Sequence, residues 1–197
     1  YTSGSASSAL VFRYIVASED NSNDLDYVSD SALTFNSGAI IDAVGSSADL
    51  TLAVPGAANS ISASKSLVID NIAPIFSNVT EGSAISTSEN DVDYQNFSDT
   101  LVISWSGSDG GSGISTYEYA LGTTSGGTEF VSWTSAGTAT ADTLTGLSLT
   151  EGTTYYLSVR ATDVAGNISS VSSADGITID LTAPAGTTVS DGAEDDI

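Results

Sequence analysis

The side chains able to do chemistry in this sequence are almost all carboxylates. Of 197 residues, 25 are Asp or Glu and three are Lys or Arg, for a formal charge of −22, and Cys, His and Met are absent. Disulfides, zinc sites, thiol nucleophiles and imidazole bases are therefore excluded together. Oxygen chemistry remains: a hard cation such as calcium takes roughly six to eight oxygens from carboxylates, carbonyls and water. The alternative is that the acids only keep the surface solvated and soluble. Either way the charge argues against nucleic acid and anionic membranes as partners, since both need basic surface.

Other candidates are weaker. The run Glu19-Asp20-Asn21-Ser22-Asn23-Asp24-Leu25-Asp26 is acid-rich, but it lacks the sixth-position Gly and the twelfth-position Glu of an EF-hand loop. It reads as a surface calcium site or a plain solvated loop. A Ser nucleophile has no His or plausible Lys partner, and nothing marks a pair of catalytic carboxylates, so the chain reads as not an enzyme. Trp133 could form a sugar-binding platform with nearby aromatics, or simply cover a sheet. Asn78, Asn96 and Asn167 each begin a glycosylation sequon, unremarkable in so Ser- and Thr-rich a chain. No apolar run approaches the length of a membrane-spanning helix, and membrane insertion is not expected.

The elements that must position these acids are short strands arranged around a repeated stretch. Ser66-Leu67-Val68-Ile69-Asp70-Asn71-Ile72-Ala73-Pro74 returns as Gly176-Ile177-Thr178-Ile179-Asp180-Leu181-Thr182-Ala183-Pro184. In both copies an alternating apolar run ends in Asp and then Ala-Pro, which reads as a last strand followed by a stiffened linker. The 110 residues from Pro74 to Pro184 fit one β-sandwich of about 100 residues. Three segments follow: 1–73, a first module; 74–183, a complete one; and 184–197, the start of a further repeat. Without an initiator Met, and ending inside an acidic stretch, the chain is expected to be a piece of a longer protein.

Before residue 74, alternation and Asp/Asn/Gly/Ser punctuation predict strands at 8–16, 25–28, 32–35, 39–41, 50–54 and 67–69, with no convincing helical period. After it, strands are predicted at 75–79, 101–105, 117–121, 130–133, 143–147, 155–161 and 177–179. Leu101, Ile103 and Trp105 should face inward, as should Tyr155, Leu157, Val159 and Ala161. Such cysteine-free modules suit an extracellular bacterial setting.

Residues 1–74 carry Asp24-Leu25-Asp26-Tyr27-Val28-Ser29, Ser31-Ala32-Leu33-Thr34-Phe35-Asn36-Ser37-Gly38, Ile41-Asp42-Ala43-Val44-Gly45-Ser46 and Pro55-Gly56-Ala57-Ala58-Asn59-Ser60. These resemble the bacterial Ig-like repeats of giant surface adhesins, with Val44 and Ser46 where the family's Asp-x-Ala-Gly-Asn turn has Ala and Asn. The resemblance implies that the repeat's first strands precede Tyr1, which would leave a strand edge unpaired. Trp105, Tyr117 or Tyr119, and Leu149-x-x-Gly152-Thr153-x-Tyr155-x-Leu157-x-Val159-x-Ala161 resemble a fibronectin type III domain over the second segment. Glu151 stands where that family usually has Pro. The fold class implied is all-β, with tandem Ig-like and fibronectin type III β-sandwiches joined by short Ala-Pro linkers, and Tyr155 as a tyrosine corner.

The type III resemblance also places the acids. Asp109, and Asp163 of the turn Asp163-Val164-Ala165-Gly166-Asn167, should face the linker that carries Asp70. Glu89, Asp91 and Asp93 should lie at the other end, near Asp180 and Glu151. Both sets are expected to hold calcium between domains, as adhesin repeats commonly do; the alternative is that each acid only caps its turn. The resemblance implies a structural or adhesive spacer in a long extracellular protein at a bacterial surface or in a fibre. Its partners would be neighbouring repeats, other copies of the chain and a surface ligand. The competing reading is an accessory or carbohydrate-binding module of a secreted hydrolase.

Overall fold

The structure is a computed structural model that describes residues 2–4, 9–35, 37–82 and 91–186. It divides into two compact units. Unit 1 comprises Tyr1–Ile75 with Gly107–Thr116 and Ala161–Ser170; unit 2 comprises Phe76–Ser106, Tyr117–Arg160 and Val171–Ile197.

After a one-turn helix α1 (Ile61–Ser64) come the strands β1 (Ile75–Gly82), β2 (Tyr94–Gln95), β3 (Thr100–Ser108), β4 (Ile114–Gly122) and β5 (Val131–Gly137). They are followed by β6 (Ala141–Thr145), β7 (Thr154–Asp163), β8 (Ser172–Ser173) and β9 (Ile177–Ile179). One sheet has the order β1-β3-β6, and the other β2-β9-β7-β4-β5 with β8 also on β7. The chain is thus an all-β sandwich; after residue 74 each strand expected from alternation overlaps an observed one, whereas the two-residue strands β2 and β8 were not expected.

Alternation is what builds the core. On β3, Leu101, Ile103 and Trp105 are buried, while Val102 and Ser104 between them are half-exposed. On β7, Tyr155, Leu157, Val159 and Ala161 are at most 1% exposed, so four consecutive inward positions meet the facing sheet as a two-residue period requires. Tyr117, Tyr119, Leu121, Leu144, Ile177 and Ile179 complete the filling. The Trp105 ring lies 6.0 Å from that of Tyr117 and 5.8 Å from that of Tyr119, in tilted pairs. Phe130 meets Tyr155 edge-on at 4.6 Å.

Tyr155 forms the corner. Its ring is fully buried, and its hydroxyl accepts a hydrogen bond from the Thr150 N–H at 3.0 Å, fixing the connection that enters β7. Glu151, in the place usually taken by Pro, leaves this bond intact. Gly152 supplies the left-handed conformation of the turn, at φ 70°.

The first 75 residues differ from their alternation pattern. Among the described residues none of the six expected strands forms a ladder. The pairings are isolated: Ser3 with Val11, Ser22 with Ile69 and Ile41 with Ser47. Phe12, Tyr14, Val28, Ile41 and Val54 remain exposed. Alternation marks a half-buried strand only when a neighbouring strand and a covered face exist, and among the described residues here the pairings stop at isolated bridges. Helix α1 is a second departure. Four residues are too short to show a helical period, and the turn is set by the Ser60 hydroxyl accepting from Ala63 N–H at 3.1 Å. Ser8, Asn36 and Glu89, and most of the expected further repeat at 184–197, lie outside the described residues.

Candidate metal centre

Asp70, Asp109 and Asp163 come together within unit 1. One carboxylate oxygen from each lies within 4.8 Å of the others. Each is positioned by local backbone chemistry. Asp109 follows β3, and its Oδ2 accepts from Gly111 N–H at 3.0 Å and Gly113 N–H at 2.7 Å. Asp163 ends β7; its Oδ1 accepts from Gly166 N–H at 2.6 Å and Asn167 N–H at 2.8 Å, and its Oδ2 from Asn167 Nδ2 at 2.7 Å. Asp70 lies four residues before Pro74; its Oδ1 accepts from Ile72 N–H at 2.9 Å and its Oδ2 from Ser112 N–H at 2.6 Å. Asn167 Nδ2 also donates to the Asp70 carbonyl at 3.0 Å, tying the turn to the chain ahead of the proline.

The site is strongly anionic. Among the described residues the ion pair present is Arg160 with Glu118, so no basic side chain neutralises these three acids. Hydrogen bonds, first from the Ser112 side chain and then from the Ile72 and Ser112 N–H groups, hold the Asp70 carboxyl below its ordinary range against an opposing effect of burial. Asp109 Oδ1 is buried and has no partner. Gly111 makes room for Asp70: a Cβ there would sit 2.3 Å from the Asp70 carboxyl carbon. The donor set, all oxygen with an anionic orphan in it, fits a hard cation such as calcium. The turn-capping alternative also describes what these oxygens do, and the two are compatible because a carboxylate oxygen has two lone pairs.

The other expected ligands are placed differently. Asp180 Oδ1 accepts from Thr182 N–H at 3.0 Å, and Glu151 accepts from Leu181 N–H at 2.5 Å and the Thr182 hydroxyl at 2.9 Å, so both shape the chain leading to Pro184. Neither they nor Asp93 belong to a carboxylate trio among the described residues. Asp91 does, in company the sequence reading did not name: Glu81 and Asp175. Glu81 has the same inward parity on β1 as Val79, a signal that was available, but reading apolar alternation ends that strand at Val79. In the 19–26 loop, Asp20 accepts from the Tyr14 hydroxyl and Ala17 N–H, and Asp26 from the Ser62 hydroxyl and Gly56 N–H, without forming a trio. The Trp133 ring carries the Arg160 guanidinium at 4.5 Å, which covers one face of the supposed sugar platform.

By its own sheets, core and corner the chain is a β-sandwich protein. It matches no protein-family model and no curated protein. Among solved structures it is similar to the fn3 domain of the human collagen alpha-1(XX) chain in solution. That match has 23% identity, covers 58% of this chain and 92% of that one, and has a TM-score of 0.39.

Proposed function

We propose that this chain is a structural or adhesive spacer, a segment of a long extracellular bacterial surface protein built from tandem Ig-like and type III sandwiches, in which calcium stiffens the linker. The observation that carries the reading is the Asp70, Asp109 and Asp163 trio, with its buried unpartnered oxygen and, among the described residues, no basic neighbour in an ion pair. Calcium held there would tie the residues ahead of Ala73-Pro74 to the 109–113 loop and the 163–167 turn. The proline already restricts the backbone at that point, and the cation would remove the mutual repulsion of three carboxylates. Millimolar extracellular calcium is enough for sites of this kind.

Small-angle scattering on the chain in calcium and in chelator tests this. Chelation should broaden and lengthen the distance distribution, and Asp109→Asn should do the same in calcium. An unchanged distribution in both comparisons would refute calcium stiffening. Gly111→Ala provides a second variant: the added methyl displaces the Asp70 carboxylate while the capping of Asp109 and Asp163 stays in place, so calcium affinity should fall.

A further inference from the structure

We propose a second calcium site in unit 2, formed by Glu81, Asp91 and Asp175 and separate from the Asp70 trio. One carboxylate oxygen from each of these residues lies within 4.8 Å of the others.

The site originates in an irregularity of β7. Its pairing with β9 runs through Thr154 with Thr178 and Tyr155 with Ile177, whereas its pairing with β8 runs through Ser158 with Ser173 and Val159 with Ser172. The register slips by one residue between the two, as at a β-bulge. Leu157, in the gap, has its carbonyl paired to Ala174 N–H at 3.0 Å, but its N–H has no strand partner. Glu81 reaches from β1 to fill that vacancy, accepting from Leu157 N–H at 2.8 Å through Oε1. The slip also brings Asp175 alongside, between Ala174 and Gly176. Asp91 is drawn in by accepting from Glu81 N–H at 3.3 Å through Oδ1.

The second oxygen of Glu81 is the decisive atom. Glu81 is fully buried, and Oε2 has no hydrogen-bond partner. A buried carboxylate oxygen without a donor or counter-ion is costly, and the residue that carries it has two further acids close to its carboxylate. Unit 2 contains a single basic residue, Arg160, and that is bonded to Glu118 at 2.8 Å. The three acids therefore have no internal cation. Asp91 and Asp175 are exposed, giving an ion a route in and leaving room for water ligands, while Glu81 provides an anchor held rigid by the sheet. A hard divalent cation satisfies the orphan oxygen and cancels most of the charge at once.

Calorimetric titration of the metal-stripped full chain with calcium tests the proposal. The Asp70→Asn/Asp109→Asn double variant, which disables the first trio, should still bind one equivalent. Adding Asp175→Asn should weaken that binding at least tenfold, and adding Glu81→Gln should abolish it. Asp175 is exposed, so the first of these variants does not depend on the core tolerating a change. If the double variant binds no calcium while the unmodified chain does, the second site is refuted and the Asp70 trio survives. If calcium binds equally with and without Asp175→Asn and Glu81→Gln, the second site is likewise refuted. If the unmodified chain binds one equivalent that persists in the double variant and disappears with Glu81→Gln, the second site stands and the first trio fails.

Discussion

Replacing Glu81 by Gln should stabilise the metal-free protein at alkaline pH, although it alters a fully buried residue. Burial is the main cause that pushes the Glu81 carboxyl from an ordinary value near 4.5 up to about 7; the Leu157 N–H opposes this, and the negative charges of Asp91 and Asp175 add to it. Between those two pH values the folded state binds a proton that the unfolded state has lost, so stability falls as pH rises. The group's contribution is fully present below about pH 4.5 and gone above about pH 7. At about 1.4 kcal/mol per pH unit the loss is about 3 kcal/mol. Gln keeps an oxygen for the Leu157 N–H, cannot ionise, and turns an N–H toward two acceptors. Urea unfolding in chelator, followed by Trp fluorescence, is the assay; both tryptophans, Trp105 and Trp133, lie in unit 2. With a urea slope of about 1–3 kcal/mol per M, the unmodified midpoint should drop by roughly 1–3 M from pH 4.5 to pH 8. The variant should lose much less, its residual slope coming from Asp91, which is raised chiefly by its own burial. Parallel pH profiles for the two proteins, or a midpoint that rises over this range, would show that Glu81 does not carry a buried charge.

Two further substitutions test the sandwich itself. Tyr155→Phe keeps the ring against Phe130 and removes the acceptor for the Thr150 N–H; Thr150 is exposed, so water can take over, and the cost should be about 1 kcal/mol. A loss in urea unfolding as large as that of a core truncation, about 3 kcal/mol or more, would mean that the hydroxyl does more than secure the corner. Arg160→Ala removes both the Glu118 ion pair and the stacking on Trp133; with the paired side chains 34% and 28% exposed, the stability change should be about 1 kcal/mol or less. The Trp133 fluorescence should change clearly, and an unaltered spectrum would count against the stacking.

The sandwich could be read from the sequence because its information is local and periodic. Leu101, Ile103 and Trp105, or Tyr155 through Ala161, announce a strand and its inward face without reference to any partner. Phe12 and Tyr14 alternate in the same way, yet they lie exposed on a backbone without a ladder. Period two says which side chains share a face and says nothing of whether that face is covered. The Asp70, Asp109 and Asp163 trio was approachable because Asp109-Gly110-Gly111 and Asp163-Val164-Ala165-Gly166-Asn167 are turn sequences with an obvious acid, and the resemblance to a type III sandwich set both turns facing Asp70. Glu81 shares the inward parity of Val79, but its meeting with Asp175 could not be read, because what joins them is a one-residue slip in how β8 and β9 pair with β7. No residue type encodes that slip.

The two trios also separate the two uses a carboxylate has in this chain. In the first, five of the six oxygens accept hydrogen bonds, four of the five from backbone N–H groups, and one, Asp109 Oδ1, is left over. Those donors fix the three carboxylates in place before any ion arrives, and at Asp70 they also hold the carboxyl below its ordinary range, so capping a turn is the preorganisation that a cation site needs. In the second trio, Glu81 serves the sheet with one oxygen and leaves the other buried without a donor. There the unpartnered oxygen belongs to a fully buried residue, whereas at Asp70 backbone donors already hold most of the carboxylate oxygens of the trio in place. Calcium should therefore govern geometry at the first trio and stability at the second, so scattering and unfolding need not respond to the same substitutions.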